Sequence, residues 1–172
     1  MNYWITSDNH FSHINIIKLC NRPFFSVDEM NEVMISNWNA AVDEDDVIYH
    51  LGDIFWTEKS ALEILPRLKG KIKLLLGNHD KNWRRVYERR KFSNLKIFHN
   101  DIVVIKEPIN AVLCHYPLMS WNGAFHGVLH FSGHTHNNSC LSEGNRINVC
   151  VENTNYKLIN LINYKKERKE NE

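Results

Sequence analysis

Five short stretches of this chain combine residues that bind cations or move protons. They are Asp8-Asn9-His10, Gly52-Asp53, Gly77-Asn78-His79-Asp80, His115 and Gly133-His134-Thr135-His136. Together they offer carboxylate, carboxamide and imidazole groups, a mixture suited to borderline or hard divalent ions such as Mn, Fe, Ni or Zn. Asp8 and His10 stand two residues apart, as do His134 and His136. In extended backbone, residues i and i+2 share a side, so each pair could serve one site. Seven candidate ligands from five places exceed what one tetrahedral ion needs. They suit two ions about 4 Å apart sharing a bridging carboxylate, the spacing of phosphoryl-transfer sites. Each stretch alone is ordinary: Gly-Asp and Gly-Asn are turn dipeptides, and an Asp or His after a strand most often serves a turn or a cap. Five in this order carry the reading.

Each stretch follows an apolar run. Tyr3–Thr6, Val47–Leu51 and Ile72–Leu76 alternate with helical segments, a βαβαβ pattern that predicts a largely parallel sheet. Ser26-Val27-Asp28-Glu29 reads as a capping box before Met30, Val33, Met34, Trp38 and Ala41 at helical spacing. Further helices are predicted over Glu58 to Leu65, stopped near Pro66, and over Asn82 to Lys91. The second half reads as strands at Lys96–Phe98, Ile102–Ile105, Ala111–Cys114, Val128–Phe131, Ile147–Val151 and Leu158–Ile162, which suggests a second sheet packed on the first. In open α/β sheets, ligands bind beyond the carboxyl ends of the strands, so the five stretches are expected to converge there. Gly52, Gly77 and Gly133 allow tight turns and close approach to a bound group.

The 172 residues suit one domain with a proper core, expected over 1–164, followed by a charged, disordered tail over 165–172. With 21 Lys+Arg against 20 Asp+Glu, a net charge of +1 favours neither a nucleic-acid coat nor a membrane-surface protein. Cys20, Cys114, Cys140 and Cys150 form no CxxC pair and read as reduced thiols. No signal peptide or membrane span is visible, and the expected compartment is the cytoplasm.

The order D-x-H, G-D, G-N-H-D, H and G-H-T-H resembles the calcineurin-like metallophosphoesterase superfamily, with the match running from Asp8 to His136. The flanking segments His10-Phe11-Ser12-His13-Ile14-Asn15-Ile16-Ile17, Arg22-Pro23-Phe24 and Trp38-Asn39 look like a small single-domain branch of bacteria and bacteriophages. The resemblance implies an α/β fold of two packed mixed β-sheets flanked by helices. It implies that Asp8, His10 and His136 bind a first metal, that Asn78, His115 and His134 bind a second, and that Asp53 bridges both. His79 would be catalytic, facing the substrate phosphate. Two divalent transition-metal ions, manganese foremost, would supply a metal-bound hydroxide to attack phosphorus in a phosphomonoester or phosphodiester. Gly52-Asp53 is followed here by Ile54-Phe55-Trp56, not by the Asp-Arg-Gly element of protein serine/threonine phosphatases. The chain also lacks length for the capping domain of the large DNA-repair nucleases, so an open site is expected.

His13 and Arg22 are candidate substrate contacts, weighed against helix entry for the former and a structural salt bridge for the latter. His50 and His130 read as core positions, and Asp80 as a group that orients a neighbouring imidazole or caps a helix. Lys81, Arg84, Arg85, Arg89, Arg90, Lys91 and Lys96 form a basic segment, either a solvated helix face or an anion-attracting rim. The expected partner is a phosphoester small molecule or nucleotide. The alternative is nucleic acid, cut or end-processed by the same site. A non-catalytic scaffold is the third reading, disfavoured by the complete ligand set.

Overall fold

A computed structural model describes residues 1–80, 87, 89, 92–138 and 143–170. Apolar alternation builds the first sheet. In β2 (Val47–His50), Val47 and Tyr49 face one side while Ile48 faces the other. β2 pairs in parallel with β1 (Tyr3–Thr6) and with β3 (Lys71–Leu74). β4 (Leu95–Ile97) extends this sheet in parallel beside β3, and the two-residue β9 (Ile159–Asn160) closes its other edge against β1. The order is β4-β3-β2-β1-β9. The second sheet runs β5-β6-β7-β8, from β5 (Ile102–Ile105), β6 (Ala111–Cys114), β7 (Leu129–Ser132) and β8 (Arg146–Asn148). β6, β7 and β8 are parallel, with β5 antiparallel at the edge. The fold is the expected pair of mixed sheets flanked by helices, but β4 and β9, read from the second half of the chain, belong to the first sheet.

Two apolar layers result. Ile48, Ile72 and Leu74 pack against Met30, Met34 and Trp38 of α2 (Val27–Ala41) and against Ala61 and Ile64 of α3 (Glu58–Ile64). Ile5, Val47, Tyr49 and Leu51 meet Ala111, Leu113, Leu129 and Phe131 between the sheets. Each large side chain so buried contributes about 1.5–3 kcal/mol. Ser26 caps α2 by accepting from the Glu29 N–H, whereas Glu29 turns to the Phe25 N–H instead of closing the box. α3 ends as predicted, with Pro66 in a 3-10 turn over Leu65–Arg67. A short α1 (Ile14–Leu19) follows directly on His13.

One expectation is corrected at the C-terminus. Leu158–Ile162 is not a full strand and the tail is not disordered through its described part: α4 spans Leu161–Glu170. Asn160 caps it, its Oδ1 accepting from the N–H groups of Ile162 and Asn163. Leu161 is buried between the sheets, and Tyr164 packs edge-on against Phe131. Lys165 and Arg168 donate to the carbonyls of Pro108 and Gly144, so the charges grip the body while one apolar edge anchors the helix. The predicted helix over Asn82–Lys91 lies outside the described residues apart from 87 and 89, as do Cys140 and most of the basic segment.

Candidate metal centre

Parallel pairing puts the carboxyl ends of β1, β2 and β3 along one rim, and those of β6 and β7 along another. The rims are stitched together where the Ser7–Cys150 bridge joins the sheets. The loops bind each other closely: Asp8 N–H donates to Gly52 O, His10 N–H to Asp53 O, and Gly133 N–H to His115 O. The His79 N–H also donates to Asp53 Oδ1 and the His134 N–H to Asp8 Oδ2, so all five stretches meet.

Their local backbone differs from the extended geometry assumed above. Asp8, His10, Asp53, His134 and His136 have φ of 60°, 51°, 56°, 68° and 48°. This left-handed region costs a non-glycine residue about 1–3 kcal/mol and persists where surrounding structure fixes it. Alternate residues of D-x-H and H-T-H thus converge through tight left-handed turns rather than along strands. Glycine is required at two approaches. A Cβ on Gly77 would fall on Asp53 Oδ1, and one on Gly133 would fall on Ser7 Oγ and Asp8 Oδ2.

The two carboxylates are each divided between support and an open oxygen. Asp8 Oδ2 accepts from Ser7 Oγ, from the His134 N–H at 2.9 Å and from Cys150 Sγ at 3.2 Å. Asp8 Oδ1, though buried, has no hydrogen-bond partner. It lies 3.8 Å from His10 Nε2 and 3.9 Å from His136 Nε2. Asp53 Oδ1 accepts from the His79 N–H at 2.9 Å, while Oδ2 lies 3.7 Å from His10 Nε2 and 3.6 Å from His115 Nε2. Ligands bonded at about 2.0–2.2 Å around one ion lie about 3–3.6 Å apart, slightly inside these separations.

The imidazoles fit the same purpose. His115 Nδ1–H donates to Leu51 O at 2.7 Å, which leaves Nε2 as a lone pair. That nitrogen lies 3.0 Å from the Asn78 carboxamide, close enough for the two to share a cation or, with the amide turned over, a hydrogen bond. His136 Nδ1 pairs with Glu152 Oε1 at 2.9 Å and turns Nε2 toward Asp8, the carboxylate–histidine arrangement of metal sites. Both ring nitrogens of buried His10 lack partners. The residues therefore fit a metal centre: Asp8, His10 and His136 gather on one side, and Asp8, Asp53 and His115 on the other. Asn78 stands beside His115, and the His134 ring lies 5.1 Å from the His115 ring.

Electrostatics agree. Burial, with the neighbouring Asp8 charge, pushes Asp53 above the usual carboxylate range, and burial beside Asp53 raises Asp80 to about 7. Crowded buried carboxylates of this kind favour nearby cations. Burial holds His10 far below the imidazole norm and His13 down at about 4, so both stay neutral. Burial also works against a charge on His136, but hydrogen bonds to Cys20 and Glu152 outweigh it and raise the residue to about 10. Its proton must leave when a cation takes Nε2.

His79 is exposed, its ring 5.4 Å from that of His10. His13 is buried with its ring flat on Trp56, 3.6 Å away. Of the two readings of Arg22, substrate contact or structural salt bridge, its described contacts are those of the salt bridge. Its side chain is 0% exposed and donates to Glu152, to Asp8 O, to Asn9 O and to Met30 Sδ. Asp80 Oδ2 accepts from the N–H groups of Asp53 and Gly77, so among the described residues it braces backbone rather than an imidazole, and the helix it would cap lies outside them. His50 holds the Asn9 carboxamide at 2.8 Å. The sequence reading missed Ser7, Cys150 and Glu152. Ser7 adjoins a motif, but nothing in the spacing marks the other two.

Comparison with known proteins identifies the family and supports the fold. The family profile described as calcineurin-like phosphoesterase matches residues 1–162. An uncharacterized protein of Methanocaldococcus jannaschii is 37% identical over 169 residues, covering 92% of this chain and 86% of that one. The gene 66 protein of Mycobacterium phage D29 is 25% identical over 159 residues, 78% of each chain. The crystal structure of an Aquifex aeolicus protein of unknown function superposes with a TM-score of 0.74 at 26% identity, covering 96% of this chain and 98% of that one.

Proposed function

The chain belongs to the calcineurin-like phosphoesterases, and from that premise we propose that it hydrolyses small-molecule phosphomonoesters or phosphodiesters with two divalent ions. Asp8, His10 and His136 would hold one ion and Asn78, His115 and His134 the other, with Asp53 shared. The observation that carries this reading is Asp53 Oδ2, set 3.7 Å from His10 Nε2 and 3.6 Å from His115 Nε2, between the two ligand groups. Manganese suits the mixed oxygen and nitrogen donors, as do iron, nickel and zinc.

Held by these residues, divalent ions would supply charge neutralisation at the phosphoryl oxygens and activation of a water for attack on phosphorus. The chain's own groups do the rest. Asp80 fixes the Asp53 backbone, and the His79 N–H tethers Asp53 Oδ1, which keeps Oδ2 turned inward. Glu152 and Leu51 O fix the ring orientations of His136 and His115. His79, anchored through its backbone with its ring in solvent, is placed to stabilise the phosphoryl group or to protonate the departing oxygen. Residues 1–164 would act as one catalytic domain. The buried free thiols Cys20, Cys114 and Cys150 suit a reducing, cytoplasmic setting, and no helix among the described residues is long and apolar enough to cross a membrane.

A panel of phosphoesters tests the proposal. The manganese-loaded protein should hydrolyse p-nitrophenyl phosphate or its diester, lose that activity to a chelator and regain it with manganese. Full activity in the chelated protein would contradict it.

A further inference from the structure

Trp56 is 37% exposed, three residues beyond Asp53. A single exposed aromatic is usual on a protein surface; this one is unusual in how firmly it is held. The Trp56 backbone N–H donates to Phe11 O, and the Phe11 N–H donates to Ile54 O. The buried rings of Phe11 and Phe55 stack at 5.7 Å. The indole itself lies flat on His13, with centroids 3.6 Å and planes 4° apart, and His13 is buried. A ring fixed on one face has little freedom left to lose when a ligand covers the rest.

Its position matters as much. The indole is 5.1 Å from the His79 ring and 6.4 Å from the His10 ring. A phosphate held by His79 and the metal ligands would place the group esterified to it beside this surface, with a sugar long enough to span the interval. A fixed, half-open indole next to a phosphate site is suited to a flat π-system joined to that phosphate.

Resting on the phosphoesterase reading above, we propose that Trp56 is the stacking platform for a nucleobase, which makes a nucleotide the substrate class of this site. His13 serves as the support that holds the platform level.

The test compares AMP with ribose 5-phosphate, which keeps the sugar and phosphate but lacks the base. The ratio of their kcat/KM values cancels any general damage from a substitution. The parent protein should favour AMP by on the order of 10–100-fold, the worth of one base–aromatic stack. Trp56→Leu should remove most of that preference, and Trp56→Phe should keep much of it. AMP should also quench the parent's indole fluorescence, and Trp56→Leu should lose that quenching. A parental ratio near one, or a ratio that Trp56→Leu leaves intact, would overturn the proposal. If the metal-loaded parent hydrolyses neither of these esters nor p-nitrophenyl phosphate or its diester, the phosphoesterase reading fails, and the fluorescence titration still decides the platform: quenching confined to Trp56 upholds it and its absence rejects it.

Discussion

Replacing Arg22 with methionine separates a structural clamp from a substrate contact. Methionine keeps an aliphatic stem within the same space but removes the guanidinium that ties Glu152 to the carbonyls of Asp8 and Asn9. Arg22 and Glu152 side chains are 0% and 5% exposed, with 2.7 Å between Nη2 and Oε1. Removing one partner of such a pair leaves a buried charge and costs about 3–5 kcal/mol. Two charge-assisted bonds to carbonyls are lost as well, while His136 still pairs with Glu152 and limits the damage. In a chain of this length each kcal/mol shifts Tm by about 2–4 °C, so Tm should fall by about 6–20 °C. Arg22→Met/Glu152→Gln, which removes both charges, should recover part of the loss. Thermal unfolding followed by circular dichroism at pH 7 reads the effect, with metal content measured in parallel. A Tm within about 2 °C of the parent, together with a raised KM, would refute the clamp and restore Arg22 as a phosphate contact.

Three further outcomes are expected. His79→Ala should keep its metals and fold but lose roughly 10²–10⁴-fold in turnover; a loss concentrated on alkyl esters rather than nitrophenyl esters assigns it general-acid chemistry, and loss of a metal from the variant contradicts its placement. Gly77→Ala should displace the Asp53 carboxylate and lower bound metal with little change in circular dichroism, whereas an unchanged metal content would show that the loop yields without cost. Asp46 is held below the usual carboxylate range: burial pushes it up, but N–H groups of Asn2, Trp4 and Asp43 outweigh that. Its stabilisation is present above the unfolded value, about pH 4, and is lost as pH falls through the folded one. Asp46→Asn should therefore cost about 1–3 kcal/mol at pH 7 by denaturant unfolding, with the difference closing below about pH 4; a gap that persists in acid would contradict this.

The sequence discloses most of what is periodic or punctuated. The Ser26 cap, the apolar face of α2 and the strands before each motif follow from local spacing, and so does the gathering of Asp8, Asp53 and Asn78 beyond β1, β2 and β3. Long-range choices are less legible. β4 and β9 are short runs that could join either sheet, and pairing with β3 and β1 depends on edges that exist only after folding. α4 is charged along most of its length, so its helix rests on Asn160, Leu161 and Tyr164 rather than on a visible stripe. The left-handed backbone at Asp8, His10, His134 and His136 is imposed by bonds between distant loops, which spacing alone does not reveal. Glu152 and Cys150 reach the site from beyond β8, and Arg22 meets Glu152 across 130 residues, so their roles appear only in three dimensions.

The proposed site holds two ions with Asp53 between them. Calorimetric titration of the chelator-stripped protein with manganese measures it directly. The parent should take up close to two ions per chain. Asp53→Asn should weaken both, since its carboxylate faces His10 on one side and His115 on the other. A parent that binds one ion or none, or an Asp53→Asn variant that keeps both at parental affinity, would contradict the account.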